Sequence, residues 1–328
     1  MDARERLEAT INGEQADRIP VALWRHWPGD DQRSADLAHS IIEFQNLYAW
    51  DYIQVMPSYF YTVLDFGIYE RWAGHPYGYT EITRPLVKKS LDWTEFRPLD
   101  PSRGNLAKVL EVLKIIKQAH PATPILLTIY SPLTIAAQLA GEETALAHLR
   151  TREDRFRTGL NNITETILRF IEALRQRAEI DGIVYVKNLA NYAYLSTEEH
   201  EAFGLPYDLK ILSTLSKKWW LNIIQIKGMR PILKQIAQYP VQAVCWEDLH
   251  AEPTLDEART LMPQLICGGL STWEHLHQGT PSLIRDLVRD AFNKTGGRRF
   301  ILSAEQGMAL STPLSNIRAA RAVVEGLR

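Results

Sequence analysis

Cysteine is scarce in this sequence. Its 328 residues include only Cys245 and Cys267, and no Cys-x-x-Cys pair occurs, so a structural zinc site of the usual spacing is not expected. Both cysteines lie in apolar stretches, which favours burial as reduced side chains over a disulfide.

An excess of charge of one sign and long apolar runs are also missing. The formal net charge is -2 with acids and bases mixed along the chain, so neither a basic face for nucleic acid nor a polybasic membrane patch is expected. No apolar run reaches the roughly 20 residues of a membrane span, and the charged first segment has no apolar signal region. We therefore expect a cytoplasmic protein without a nucleic-acid or membrane partner.

Short runs of apolar, β-branched or aromatic residues recur along the chain and alternate with helical patterns, which is typical of a parallel sheet with crossover helices. Several runs are almost continuously apolar, as expected for strands that are covered on both faces. Eight such runs span residues 18–25, 51–56, 124–130, 181–186, 219–226, 241–248, 264–271 and 298–306. Amphipathic helices are predicted over residues 34–49, 105–119, 160–178, 281–292 and 313–327. Eight βα units predict an α/β fold in which residues 1–328 form one (β/α)8 TIM-barrel domain rather than an open doubly wound sheet.

Residues 57–103 form a long segment after the second predicted strand that is rich in aromatic and turn residues. An insertion of this length is usually a functional segment or a lid rather than a plain connector. Its aromatic residues are candidates to cover the mouth of a cleft.

Polar residues end most of the predicted strands, and in (β/α)8 barrels the chemistry lies at these carboxyl ends. The residues that end the runs include Arg25, His26, Lys187, Gln225, Lys227, Glu247, Asp248, Ser271, Thr272, Glu305 and Gln306.

Each of these residues has both a functional and a structural interpretation. Arg25 either binds an anion or pairs with Asp51 to brace two strands, and His26 is either an acid-base group or a packed histidine. Because Glu247 and Asp248 point to opposite sides of a regular strand, one of them faces the cleft, and we choose Asp248.

Two further features leave alternatives open. Lys187 and Lys227 end neighbouring strands and could lower each other's pKa, which would allow a Schiff base, although a solvated or ion-paired lysine is the commoner case. The amides of Gly268 and Gly269 either bind an anion or allow close backbone packing. The spacing of His275 and His277 does not favour a metal pair, because residues two apart on a helix point to different sides.

Six blocks of the sequence resemble, in order and spacing, the uroporphyrinogen decarboxylase superfamily. They are "RERLEATINGEQADRIPVALWRHW", "WDYIQVMP", "SPLTIAAQLAG", "YLSTEEHEAFGLPYDLKIL", "ICGGLSTWEHLHQGTPSLIRDLV" and "FILSAEQGMALSTPLSNIRAARAVV". The resemblance implies a barrel with its cleft at the carboxyl ends of the strands. It also implies one of two chemistries: cofactor-free decarboxylation of porphyrinogen acetates, or zinc-dependent methyl transfer between corrinoids and thiols.

Carried over to this sequence, the decarboxylase pattern keeps Arg25 of the arginine clamp but not the second arginine. Asp51 matches the family's central aspartate, with one extra residue before the following proline. The family's tyrosine and histidine positions hold Gln138 and Gln306.

The zinc-binding pattern is not matched. The His-x-Cys pair of the methyltransferase branch reads Gln225-x-Lys227 here, and its late cysteine is Gln306. Since Zn(II) sites in proteins use thiolate, imidazole and carboxylate ligands, no metal and no cofactor is expected.

Together, the residues and the resemblance favour a cofactor-free carboxy-lyase that acts on a porphyrinogen or another small anionic carboxylate. The alternatives are a zinc-less member of the methyltransferase branch that docks a corrinoid protein, and a barrel that only binds a ligand or partner. The resemblance also implies a homodimer. The catalytic residues we expect are Arg25, Asp51, Lys227 and Asp248, and the substrate-binding residues are His26, Gln138, Lys187, Gln225, Gly268, Gly269 and Gln306.

Overall fold

The computed structural model describes residues 1–327 and is built around a parallel sheet. In chain order the strands are β1 (Ile53–Val55), β2 (Tyr69–Arg71), β3 (Glu81–Arg84), β4 (Ile125–Tyr130), β5 (Gly182–Lys187), β6 (Ile223–Ile226), β7 (Ala243–Cys245), β8 (Leu265–Leu270) and β9 (Phe300–Ala304). Seven of them form the main sheet in the order β1-β4-β5-β6-β7-β8-β9. The sheet is curled, and the α/β fold class is confirmed.

The strands of the main sheet are apolar because both faces are covered. All six residues of β4, with the sequence ILLTIY, are buried, and so are all six residues of β5 and of β8. Parallel ladders join neighbouring strands, as in the pairing of Leu127 with Ile183. Continuous apolar strands of this kind are typical of sheets packed between helices and a filled interior.

The first predicted strand is shorter than expected. Within residues 18–25, Val21 makes a single parallel bridge, to Leu302 of β9. Pro20 has no N–H to donate, and the N–H of Val21 donates to the carboxylate of Asp51 at 2.7 Å instead of to a strand. The prediction of a strand over the whole run is therefore wrong, because neither Pro20 nor Val21 donates a backbone hydrogen bond to a neighbouring strand.

Twelve α-helices lie within residues 1–327, and all five predicted helices are among them. In chain order the helices are α1 (Ala3–Asn12), α2 (Ser34–Tyr48), α3 (Gly104–Ala119), α4 (Pro132–Ala140), α5 (Glu142–Thr151), α6 (Glu153–Arg177), α7 (Thr197–Phe203), α8 (Leu205–Leu212), α9 (Leu233–Ile236), α10 (Leu255–Leu261), α11 (Pro281–Thr295) and α12 (Leu314–Val323). Helix α6 begins seven residues before its predicted start, with Glu153 and Asp154 in its first turn, where acidic side chains stabilise a helix N-terminus. Among residues 1–327, no helix combines the length and the hydropathy needed to cross a bilayer.

The insertion at residues 57–103 carries the antiparallel hairpin of β2 and β3. The tip of the hairpin, residues 72–80, contacts segments that follow the main sheet: the N–H of Leu310 donates to Pro76 O at 2.8 Å. Gly78 makes this approach possible, because its φ is +83° and a Cβ there would lie 2.8 Å from the Cβ of His26. The insertion therefore contacts the carboxyl edge of the main sheet.

Both cysteines are buried and free, as predicted. Cys245 of β7 pairs in register with Cys267 of β8. Burial raises the pKa of both thiols, so they remain protonated and behave as small apolar side chains.

Candidate functional site

A group of polar and aromatic side chains, which we call the Lys227 cluster, lies at the carboxyl edge of the sheet and consists of Lys227, His26, Tyr59, Tyr79 and Gln306. Lys227 directly follows β6, and its ammonium donates to the hydroxyl of Tyr79 at 2.9 Å. The ammonium also lies 4.7 Å from the ring centroid of Tyr79 and 5.6 Å from that of Tyr59, which are cation-π distances. Within residues 1–327 no carboxylate forms an ion pair with Lys227, so aromatic rings and one hydroxyl surround its charge.

Tyr79 connects Lys227 to the predicted site residue Gln306. Its hydroxyl accepts from Lys227 and donates to Gln306 Oε1 at 3.2 Å, and Gln306 Nε2 lies 3.5 Å from Thr272 Oγ1. Burial and the charge of Glu305 raise the pKa of Tyr79, so the phenol keeps its proton at neutral pH. Two residues predicted from strand ends, Lys227 and Gln306, are thus brought together by a residue of the hairpin tip.

His26 is almost fully buried in this cluster, at 1% exposure. Its ring centroid lies 5.0 Å from that of Tyr79 and 5.8 Å from that of Trp24. Among the described residues neither ring nitrogen has a hydrogen-bond partner. Burial and the nearby charge of Lys227 lower the pKa of His26 to about 3, so the imidazole is neutral at pH 7.

Two buried carboxylates lie next to the cluster. Glu305, directly after β9, accepts from the amide of Thr272 at 3.0 Å and from its hydroxyl at 2.7 Å. Asp248, which follows β7, borders the same narrow crevice as Glu305. Burial and the charge of Glu305 raise the pKa of Asp248 to about 7, and burial also raises the pKa of Glu305. Asp248 therefore changes protonation state near neutral pH.

The contacts of Asp248 bear on the two interpretations of Gly268 and Gly269, which are anion binding and close backbone packing. The amide of Gly269 donates to both carboxylate oxygens of Asp248, at 3.2 and 3.1 Å. A Cβ on Gly268 would lie 2.2 Å from Asp248 Oδ1. These contacts favour the interpretation of close packing, here against the protein's own carboxylate, over the binding of a ligand anion.

A cavity of about 350 Å³ opens beside the Lys227 cluster. Its lining includes Tyr59, Gln138 of α4 and Asn188, which follows β5. Gln138 donates to Tyr59 O at 2.9 Å, and Asn188 donates to the hydroxyl of Tyr59 at 2.6 Å. Among the described residues, the amide oxygens of Gln138 and Asn188 are buried without a hydrogen-bond partner. The predicted residue Gln138 therefore lines a cavity that adjoins Lys227 through Tyr59.

Gln225 is buried within the curl of the sheet rather than in the cavity. Its Nε2 donates to Glu305 O at 2.6 Å and so joins the end of β6 to the end of β9. This bond positions the two chain segments that carry Lys227 and Gln306.

Arg25 does not join the Lys227 cluster, although it was predicted to bind the anion there. Its guanidinium lies 5.0 Å from the ring centroid of Trp27 and lines a narrow groove with Phe44 of α2. Burial lowers its pKa. Since His26 contacts Tyr79, the adjacent side chain of Arg25 points elsewhere, towards α2.

Asp51 lies just before β1, at the amino edge of the sheet, and is not part of the candidate site. Its carboxylate accepts from Arg6 at 2.6 Å and from Arg18 at 2.7 and 3.0 Å. It also accepts from the amide of Val21 at 2.7 Å. The structure therefore places Asp51, predicted as a catalytic residue, in a buried ion cluster at the other edge of the sheet, where its partners are Arg6 and Arg18 and not Arg25.

Lys187, the last residue of β5, points into the helix layer. Its ammonium contacts Asp208 of α8, His200 Nε2 at 2.8 Å and the hydroxyl of Tyr239 at 2.8 Å. Burial lowers the pKa of Lys187, while Asp208 raises it. Lys187 and Lys227 do not share a site in the structure, because Lys187 is paired with Asp208 on the far side of the sheet.

Sequence reasoning did not single out Tyr59 and Tyr79. The signal available for them was the density of aromatic residues in the insertion, which includes "PYGYT". Among residues 1–327, no group of three or more histidine, cysteine, aspartate or glutamate side chains could hold a metal ion. Gln225, Lys227 and Gln306, at the positions matched to zinc ligands, do not supply the donors that zinc prefers.

A family model described as uroporphyrinogen decarboxylase (URO-D) matches residues 71–327. The uroporphyrinogen decarboxylase of Synechococcus sp. (strain CC9902) is 22% identical over 268 residues, which cover 73% of this chain and 74% of that protein. The uroporphyrinogen decarboxylase of Prochlorococcus marinus (strain MIT 9303) is 24% identical over 260 residues, which cover 75% of this chain and 71% of that protein.

Two solved structures resemble the fold. A methyltransferase from Methanosarcina mazei has a TM-score of 0.87 with 20% identity, and the match covers 99% of both chains. A B12-independent methionine synthase from Shewanella sp. W3-18-1 has a TM-score of 0.58 with 13% identity over 94% of both chains. At these identities the similarity concerns the fold and not the reaction.

Proposed function

The chain belongs to the uroporphyrinogen decarboxylase family, and from this premise we propose that it is a carboxy-lyase that binds an anionic carboxylate substrate at the Lys227 cluster. One observation carries the proposal: Lys227 is a partly buried cation at the carboxyl edge of the sheet, and among the described residues it has no carboxylate partner. A cation withdrawn from water in this way favours an anion from outside the chain.

The site is proposed to lie at the mouth of a closed, single-domain (β/α)8 barrel, with residues 20–22 as the eighth strand. Two contacts support closure. Val21 bridges Leu302 of β9 in parallel, and on the other side the amide of Asp51 donates to Val21 O at 3.0 Å. Barrels of this type carry their reactive groups at the carboxyl ends of the strands, where Lys227 and Gln306 lie.

Lys227 is proposed to hold a carboxylate that the substrate keeps, because a cation on the departing group would stabilise the ground state. In the present conformation the Tyr79 hydroxyl is hydrogen-bonded to the ammonium. A substrate carboxylate would replace that hydroxyl, so the hairpin tip would have to move for the ligand to enter. The rest of the substrate would occupy the cavity of about 350 Å³ lined by Tyr59 and Gln138.

In the reaction proposed here, the bond between the leaving carboxylate and its carbon breaks, CO2 departs, and the electron pair stays on that carbon. The carbon then takes a proton from an acid, so that the net change is R–COO⁻ + H⁺ → R–H + CO2. Asp248 is proposed as the acid, because burial and Glu305 raise its pKa to about 7 and it can hold and release a proton near neutral pH. Asp248 then regains a proton from solvent.

The test is incubation of the purified protein with porphyrinogens of decreasing carboxylate number, with CO2 release and binding measured separately. Lys227→Met should weaken substrate binding by about tenfold or more, since it removes a charge-assisted contact. Lys217→Met, at an exposed lysine outside the cluster, is the matched control and should bind like wild type. Product formation no faster than the uncatalysed background would reject the lyase proposal.

A second candidate function is ligand binding without catalysis. It is favoured by the side chains at Gln138 and Gln306, which are amides where the family pattern has a tyrosine and a histidine. Amides orient a ligand through hydrogen bonds but neither donate protons as acids nor bind zinc. In the same experiment, porphyrinogen binding that depends on Lys227 without any CO2 release would select this function. Docking of a corrinoid protein and homodimerisation stay predictions.

A further inference from the structure

We propose a second ligand site, for a small polyanion, at the amino edge of the sheet. A pocket of about 330 Å³ lies there, at the end opposite to the Lys227 cluster. Its charged lining consists of Arg259 of α10 together with Arg298 and Arg299, which directly precede β9. We call these residues the arginine pocket.

The charged side chains that line the arginine pocket within residues 1–327 are all positive. Among the described residues its lining contains no aspartate or glutamate, and none of the three guanidiniums forms an ion pair with a carboxylate. Three like charges around one concave space repel one another, and a bound anion relieves that repulsion. The chain as a whole has a net charge of -2, so this local excess is not a reflection of its composition.

Two of the arginines are held in place by backbone carbonyl groups. Arg299 donates to Pro263 O at 2.6 Å, and Arg259 donates to Lys294 O at 2.9 Å near the end of α11. A guanidinium has five N–H donors, so each of these side chains keeps further donors for a ligand. Planar guanidinium groups bind phosphate and carboxylate oxygens in pairs, which suits a ligand with two or more negative charges.

The backbone at Arg299 supports a built site. Arg299 adopts φ +51°, a left-handed conformation that residues with a Cβ rarely take. Gly13, at the end of α1, lies so close that a Cβ there would be 3.2 Å from Arg299 Nε. Left-handed non-glycine residues persist where the surroundings require them and cluster at ligand sites. Here the unusual conformation directs the Arg299 side chain between Gly13 and Pro263.

The size of the pocket selects the ligand class. A concave space of about 330 Å³ takes a small molecule, not a nucleic-acid duplex or a membrane surface. The ligand is therefore a small polyanion, whose charge comes either from phosphate groups or from several carboxylates.

The experiment is calorimetric titration of the full chain with inorganic pyrophosphate and, separately, with citrate. Binding should be detectable with at least one of them and should weaken as NaCl is raised. Arg298→Gln and Arg299→Gln should each weaken it by about tenfold or more, because each removes a charge-assisted contact. Arg285→Gln, at an exposed arginine of α11 outside the pocket, is the control with the same change in charge and should leave the affinity unchanged.

Two sets of outcomes decide the proposal. Binding of pyrophosphate alone identifies a phosphate-bearing ligand, and equal binding of citrate identifies recognition of a polycarboxylate, so either result supports the site. No binding of either probe below about 1 mM, or an equal loss in Arg285→Gln and Arg298→Gln, overturns it. If Arg299→Gln does not fold, Arg298→Gln decides alone. Lys227→Met should bind pyrophosphate like wild type, which separates this site from the proposed substrate site.

Discussion

The two edges of the sheet bury charge in different ways. At the amino edge, Asp51 is 1% exposed and accepts hydrogen bonds from Arg6, Arg18 and the amide of Val21. At the carboxyl edge, Lys227 is partly buried, and among the described residues its ammonium contacts a phenol and aromatic rings but no carboxylate. A buried charge whose hydrogen-bond and ion-pair partners all lie within the chain stabilises the fold, whereas a charge without such partners is available to a ligand.

The same contrast separates two lysines at the ends of neighbouring strands. Lys187 pairs in register with Ile226, and Lys227 is the next residue after Ile226. Successive side chains in a strand point to opposite faces, so one lysine enters the helix layer and the other the cluster. Lys187 meets Asp208 there, while Lys227 meets Tyr79. A shift of one residue along the sheet thus decides whether a lysine stabilises the protein or remains free to bind.

The largest expected effect on the free energy of unfolding comes from removing the hydrogen-bonded charge at the amino edge. Asp51→Asn keeps the shape of the side chain but leaves the guanidiniums of Arg6 and Arg18 buried beside a neutral amide. We expect the free energy of unfolding to fall by about 3 to 5 kcal/mol, measured by chemical denaturation. Ligand binding at the Lys227 cluster should not change, because Asp51 lies at the other edge.

Asp17→Asn is the matched control for this prediction. Asp17 also pairs with Arg6, but its side chain is 40% exposed, so we expect a loss below about 1 kcal/mol. If both variants lost the same amount, the view that the amino edge depends on buried pairing would be wrong.

Much of this fold could be read from the sequence, because seven of the eight predicted strands exist and lie in a parallel sheet. Apolar runs between amphipathic helices report burial directly. The run at residues 18–25 is reduced to a single bridge by a long-range effect, since the Val21 amide is taken by Asp51, 30 residues further along the chain. The local sequence pattern contains no information on a hydrogen-bond acceptor that lies so far along the chain.

The candidate site was less predictable than the fold, for the same reason. Strand ends identified Lys227 and Gln306, but the residue that connects them, Tyr79, is 148 positions from Lys227 and belongs to an insertion without a strong periodicity. The direction of Arg25 could not be inferred either, because alternation is reliable only in a regular strand and the first run makes one bridge. For Asp248, the sequence suggested a polar role, but not that Gly269 would supply its hydrogen bonds.

An intermediate effect is expected at Asp248, whose carboxyl is buried and, within residues 1–327, forms no ion pair. The raised pKa, about 7 against an ordinary value of 3.8, means that the folded protein binds more protons than the unfolded chain between those two values. Stability should therefore fall as the pH rises through this window and level off above it. Asp248→Asn removes the contribution of Asp248 to this slope and should raise the free energy of unfolding at pH 8 by about 2 kcal/mol.

Denaturation curves at pH 4, 6 and 8 measure this slope. The exposed aspartate of α2 gives the control Asp36→Asn, which should keep the wild-type slope. A slope in Asp248→Asn equal to that of the wild type would show that this carboxyl does not titrate within the window in the folded protein, and would remove Asp248 as the proposed proton donor.

The smallest change in stability is expected at Lys227, although its effect on binding should be large. Lys227→Met removes a charge that has aromatic rather than ionic partners, and the methionine still packs against Tyr59 and Tyr79. The lost cation-π contacts and the relieved desolvation oppose each other, so the free energy of unfolding should change by less than about 1 kcal/mol. Lys187→Met is the matched substitution on the neighbouring strand, and it should cost about 3 kcal/mol because Asp208 is left buried and unpaired. Equal losses in the two variants would mean that both lysines are structural, and Lys227 would no longer be the group that an anionic ligand meets.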